Sequence, residues 1–127
     1  MHRSRLSTIV IDCAREDSDR DFQFWSQALG KDAIANDNPI YSSLRGRLGG
    51  DGAPIVLLQR VPAAERAIHL DIETDDVAAE VTRLEKLGAR VKARIRNHVV
   101  MVAPSGHAFC VVPTSRGDVP AKTATWE

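Results

Sequence analysis

The 127-residue chain reads as an α+β fold in which a βαβββ unit occurs twice. Two observations carry that reading. The order strand, helix cap, amphipathic helix and Leu-Gly stop recurs in each half, and the two stops, at Gly30 and Gly88, lie 58 residues apart (88 − 30), close to half the chain. Three strand-like runs follow each stop.

Residues 6–12 are β-branched and apolar and read as the first strand. Asp17 or Ser18 then caps a helix reaching Leu29, with Phe22, Trp25 and Leu29 on one face and Gly30 at the left-handed position beyond its end. Residues 31–35, 41–48 and 54–60 read as strands, separated by turns at 36–39 and 49–52. In the second half, residues 68–72 form a strand, Asp75 or Asp76 caps, and Val77, Val81 and Leu84 line a helix ended by Gly88. Strands follow at about residues 89–95, 98–103 and 108–113. The expected organisation is one domain over 1–127: module one at 6–60, a connector at 61–66, module two at 67–113 and a polar tail at 114–127 holding Trp126. Each module has one helix for one face of its strands, so the other faces form a curved mixed sheet around a central cleft, with the helices outside.

Composition narrows the function classes. Hydrophobic residues make up 43% and charged residues 27%, enough for one core. Lys plus Arg and Asp plus Glu both number 17, so no electrostatic footprint for nucleic acid or an anionic membrane is present. Met1 to Arg5 is basic without an apolar segment after it, and the expectation is a soluble cytoplasmic protein. Two cysteines, Cys13 and Cys110, are too few for a disulfide scaffold, and their strand parities differ, so both are expected as free thiols.

Several sequence features together carry a family resemblance. They are Asp12-Cys13-Ala14, Phe24-Trp25, Leu29-Gly30, His69-Leu70-Asp71, Asp75-Asp76-Val77, Leu87-Gly88-Ala89 and the segment from Pro104 through Cys110. Taken in order and spacing, they resemble the vicinal oxygen chelate superfamily, which includes glyoxalase I, bleomycin- and fosfomycin-resistance proteins and extradiol dioxygenases. The resemblance runs from about residue 6 to 113 and is nearest the small glyoxalase-like subgroup. It implies metal ligands from the first and last strands of each unit. His69 occupies one such position, but the transferred partners are Thr8, Val56 (four after Gly52) and Cys110 (four after Gly106), so a hard or borderline divalent ion would be undercoordinated. The expectation is therefore no family metal and no cofactor, with a divalent ion through His69 as the alternative.

Strand alternation turns the resemblance into candidate residues. Facing inward are Thr8, Val10 and Asp12, then Val56, Leu58 and Arg60, then His69, Asp71 and Glu73, and last Ala108, Cys110 and Val112, while Ile68, Leu70 and Ile72 pack beneath a helix. The candidate ligand-binding set is Thr8, Asp12, Val56, Leu58, Arg60, His69, Asp71, Ala108 and Cys110, with His69 and Asp71 best placed for acid/base chemistry. Each has a plainer reading. His69 can be a structural histidine bonded to Asp71 or Asp12, Cys110 a small buried filler, and Arg60 half of an internal ion pair. Trp25 reads as core, His98 and His107 as solvated, and Tyr41, Arg45 and Arg47 as a rim or a solvent-facing strand. The resulting functional expectation is a protein that binds or sequesters a small organic molecule in the manner of the resistance proteins. A lyase, isomerase or dioxygenase is the alternative, and a homodimer anchored in part by Trp126 is expected.

Overall fold

The computed structural model describes residues 1–45, 54–62, 67–114 and 124–127. The turn expected at 49–52, Arg47 and most of the connector and tail lie outside the described residues. The fold is α+β, with two α-helices and a mixed sheet among the described residues. The chain divides into two compact units, Thr8–Ile68 and Met1–Ser7 with His69–Glu127. Among the described residues no helix is long and apolar enough to cross a membrane.

The first unit contains most of β1 (His2–Ala14), a single 3-10 turn (Arg15–Asp17), α1 (Ser18–Leu29), β2 (Asp32–Ala35), β3 (Tyr41–Arg45) and β4 (Ile55–Val61). Its strand order is β1-β4-β3-β2, with β1 and β4 parallel and the other neighbours antiparallel. Gly30 ends α1 at φ 62°, in the left-handed region that any side chain would strain, and its amide bonds back to Gln27. Asp17 precedes the helix without a side-chain cap bond, and the Ser18 hydroxyl instead donates to the Arg15 carbonyl.

The second unit repeats the plan with β5 (Ile68–Thr74), α2 (Val77–Lys86), β6 (Arg90–Ile95), β7 (His98–Val102) and β8 (Ala108–Pro113). Its order β5-β8-β7-β6, with β5 and β8 parallel, matches that of the first unit strand for strand. Asp76 caps α2 through the Ala79 amide at 3.0 Å. Gly88 then turns the chain at φ 104°, where a Cβ would approach Pro104 Cγ to 3.1 Å. The first residues of β1 run beside β5, and β9 (Ala124–Trp126) pairs antiparallel with them. The described end of the tail is this short strand.

Each helix covers one apolar cluster. In the first unit Phe22 and the half-buried Trp25 of α1 pack with Ile11, Cys13, Leu44, Val56 and Leu58. In the second, Val81 and Leu84 of α2 pack with Val99, Met101 and Val111, joined by Ile72, Val91 and Phe109. Helix coverage is narrower than the sequence pattern suggests. Leu29, Ile68 and Leu70 are exposed, so only the Ile72 end of β5 lies under its helix.

The register of β1 and β4 corrects one expectation. Ile9 stands opposite Val56, Ile11 opposite Leu58 and Cys13 opposite Arg60, and residues opposite one another share a sheet face. Val56, Leu58 and Arg60 therefore lie on the face covered by α1. The uncovered face carries Thr8, Val10 and Asp12 with Ile55, Leu57 and Gln59.

Candidate functional site

In the second unit, strand alternation and pairing place three donor side chains together. His69 and Asp71 are alternate residues of β5, and Cys110 of β8 is the direct register partner of Asp71. All three stand on the face away from α2, because Ile72, Phe109 and Val111 take the helix side. One ligand atom from each lies within 4.8 Å of the other two. His69 Nδ1 is 3.7 Å from Asp71 Oδ1, and the two side chains are 24% and 21% exposed, so both are reachable yet largely sheltered from water.

The surrounding contacts fix this row of side chains. The Ser7 hydroxyl donates to the Asp71 carbonyl at 3.2 Å. Glu73, the next residue of β5 on the same face, is buried and pairs with the Arg5 guanidinium. Its charge is thus already engaged. Asp71 Oδ1 is buried and makes no hydrogen bond among the described residues, its contact being the 3.7 Å approach of His69 Nδ1. A buried carboxylate oxygen in that condition is costly unless a cation or proton approaches it. Cys110 is half-buried and free of any disulfide. The arrangement can accept a hydrogen-bonding organic group, transfer a proton through imidazole and carboxylate, or ligate a cation through N, O and S.

The sequence-derived candidates distribute unevenly. His69, Asp71 and Cys110 come together, and Ala108 stands exposed on the same face of β8. Thr8 and Asp12 belong to the uncovered face of the first unit, where Thr8 adjoins Ile55 and Asp12 adjoins Gln59. Asp12 also donates its amide to the Ala67 carbonyl at 2.8 Å. Val56 and Leu58 pack in the α1 cluster, and Arg60 lies with its guanidinium 4.3 Å over the Phe22 ring. His98 and His107 are exposed. Arg5 was not among the sequence candidates. Residues 2–5 are His-Arg-Ser-Arg, so no apolar-polar alternation extends the first strand back to Arg5, and only the fold, in which β1 begins at His2, sets it beside Glu73.

The metal set implied by the family resemblance does not fit. The first unit offers Thr8 with apolar Ile55 and Leu57 of β4 beside it, a poor surface for a hard cation that requires several oxygen or imidazole ligands. The donors on hand are instead the compact imidazole, carboxylate and thiol group of the second unit.

Comparison with known proteins agrees with this architecture. A hypothetical protein from Bacillus halodurans C-125 superposes with a TM-score of 0.61 at 14% identity, over 92% of this chain and 99% of the other. A glyoxalase/bleomycin resistance protein/dioxygenase superfamily member from Vibrio splendidus 12B01 does so at 0.55 and 14%, over 87% and 99%. The 2,2',3-trihydroxybiphenyl 1,2-dioxygenase of Sphingomonas wittichii RW1 superposes at 0.60 and 15%, over 96% of this chain but only 43% of that enzyme. At these identities the likeness is one of fold. No curated protein sequence matches the chain. The model of the glyoxalase-like domain matches residues 8–112, and the chain belongs to that family.

Proposed function

We propose that this chain binds a small organic molecule against the uncovered sheet face, with His69 and Asp71 as its polar anchors. The role is binding or sequestration of the resistance-protein kind, without the hard-ion ligand set that the family resemblance implies. One observation supports it above the others: a sheltered imidazole and carboxylate, 3.7 Å apart, stand on a face whose neighbours on β8 are Ala108, Cys110 and Val112. Small-molecule sites combine an apolar wall with a few convergent polar groups in this way. A second reading, a lyase, isomerase or dioxygenase, is favoured by the same pair, since imidazole beside carboxylate is an acid/base couple. We also propose a homodimer, because the end strand β2 exposes all four of its residues, Ile34 among them. A monomeric mass by light scattering would exclude it.

The binding reading is tested by protein-observed NMR with a panel of small aromatic carboxylates and hydroxyketones. Shifts of the His69 ring and the Cys110 amide are expected, and they disappear in His69→Ala. Binding that persists unchanged in His69→Ala removes the proposal. Product formation by wild type, lost in both His69→Ala and Asp71→Asn, selects the enzymatic reading instead.

A further inference from the structure

The uncovered face of the second unit also holds a nucleophile. We propose that Cys110 captures small electrophiles of the α,β-unsaturated carbonyl class covalently, with His69 as its base and Asp71 as the residue that positions the imidazole. Such capture presupposes the binding reading above and gives its ligand a chemical class.

A thiol becomes a strong nucleophile when a base takes its proton and a third group orients that base. β5 and β8 bring such a set together. One side-chain N, O or S atom from each of His69, Asp71 and Cys110 lies within 4.8 Å of the other two, and His69 Nδ1 stands 3.7 Å from Asp71 Oδ1. A spread of that size suits a free protein, where catalytic hydrogen bonds are commonly longer than in the reacting complex. The Asp71 carboxylate stabilises the imidazolium that forms when the thiol proton moves. His69 and Asp71 alternate on one strand and Cys110 is paired in register with Asp71, so the sheet itself fixes the three Cβ positions. Cys13 is the contrast: it lies buried under α1, where burial and the charges of Asp21 and Asp12 push its thiol up to about 11.

The surroundings select conjugate addition over acyl transfer. Cys110 lies in β8 between β5 and β7, so the backbone amides around it serve the ladders on either side and cannot form the oxyanion hole that acyl transfer needs beside its nucleophile. In conjugate addition the charge develops on a carbonyl oxygen remote from the attacked carbon, where one imidazolium can meet it. The Cys110 proton passes to His69, the sulfur bonds to the β-carbon of the enone, and the π pair of the C=C bond moves onto the carbonyl as an enolate. The imidazolium then returns its proton to the α-carbon. The net change is addition of S–H across the double bond, with His69 regenerated and neither oxidant nor reductant consumed. Ala108 and Val112, alternating with Cys110 on β8, and Val100, its partner on β7, offer an apolar wall to the hydrocarbon part of such a molecule. One molecule is held per chain, which is sequestration rather than turnover.

The test uses the full-length protein with benzylideneacetone as probe, followed by loss of the enone chromophore and by intact mass with peptide mapping. A single adduct on Cys110 is expected, formed at a rate that saturates with probe. At neutral pH and low probe it should form at least about tenfold faster than on Cys110 in the urea-denatured protein, a margin within the reach of a positioned base. His69→Gln, which keeps a polar side chain but lacks the base, should lower the limiting rate at least about tenfold. Asp71→Asn should lower that limiting rate while leaving the half-saturating probe concentration within about threefold, a split that general loss of structure would not give. Cys110→Ala, with its fold checked by circular dichroism, should form no adduct, and Cys13→Ala should react as wild type does. A rate no faster than in the denatured protein, a rate that stays linear in probe, an adduct on Cys13, or an unchanged limiting rate in His69→Gln overturns the proposal. NMR shifts from the carboxylates and hydroxyketones without any enone adduct overturn capture and leave the binding reading standing. The converse, a saturating Cys110 adduct with no shifts from that panel, keeps capture and discards the panel as its ligands.

Discussion

His2 Nε2 donates to Oε2 of Glu80 at 2.7 Å, joining the first residues of β1 to α2 across 78 positions of sequence. Glu80 is fully buried, and its carboxylate also accepts from the Ser4 hydroxyl at 3.0 Å and twice from Arg83, at 2.9 and 2.8 Å. Trp126 completes the assembly: its indole donates to Ser4 at 2.9 Å, and Arg83 lies 3.8 Å from its ring centroid. The residue expected to anchor a partner subunit is therefore engaged within its own chain. An acidic residue on the inner side of a helix is tolerated here because every donor around it is satisfied together.

Removing that carboxylate should be expensive. Glu80→Ala leaves Arg83, His2 and Ser4 facing a void, and breaking a buried charge network by deleting one partner costs about 3–5 kcal/mol. Urea unfolding should show a loss of that size. A change below about 1 kcal/mol would mean that water enters and replaces the carboxylate.

Acid should reproduce the same loss. Burial raises the Glu80 pKa, but the hydrogen bonds from Arg83, His2 and Ser4 outweigh it, and the net displacement is downward from 4.5. Asp75 is also lowered, chiefly by the Arg3 amide. For a carboxylate with a depressed folded pKa, the stabilisation is present above the unfolded value and is lost as pH falls through the folded value. Stability should therefore decline below about pH 4.5. The decline should be shallower in Glu80→Gln, and equal slopes in the two proteins would exclude Glu80 as its source.

The two thiols should behave differently. Burial, then the nearby charges of Asp21 and Asp12, push the Cys13 thiol up to about 11, whereas Cys110 is half-buried on an uncovered face. A thiol reagent at pH 8 should modify one cysteine in the native protein and both after denaturation without reductant. Because the folded state holds the Cys13 proton more tightly, stability is complete below pH 9 and falls as pH rises from about 9 toward 11. Cys13→Ala should remove that alkaline slope, and a zero thiol count after denaturation would reveal an unexpected disulfide.

The repeat was legible because caps, apolar periodicity and glycine stops are local signals: Asp76, Val81, Leu84, Gly30 and Gly88 all sit where the pattern puts them. Face assignment was legible on β5, where clean alternation put His69 and Asp71 opposite Ile72. It failed on β4. Ile55, Val56, Leu57 and Leu58 form an unbroken apolar run, and only the pairing Ile11 with Leu58 determines which of them meet the helix. The donor group around His69 was similarly half visible. Cys110 was placed with His69 and Asp71 in one candidate set, but which of them it stands beside follows only from the β5–β8 register, a pairing with Asp71 made 39 residues away in sequence (110 − 71).

Arg60 offers the clearest test of that corrected face. Its guanidinium lies over Phe22, donates to the Ser18 hydroxyl, and reaches Asp19 at 3.1 Å and the Pro39 carbonyl at 3.4 Å. Asp19 is almost wholly exposed, so that ion pair contributes little. The cation–π contact adds about 0.5–1 kcal/mol and the Ser18 hydrogen bond about 1 kcal/mol. Arg60→Ala should therefore lower stability by about 1–2 kcal/mol in urea unfolding, and Arg60→Lys should recover only part of it because an ammonium cannot span the ring and the hydroxyl as a planar fork does. Neither substitution should alter the NMR response of His69 to the aromatic carboxylate panel. If Arg60→Ala instead keeps full stability and abolishes that response, Arg60 faces the ligand after all and the β4 side chains belong on the uncovered side.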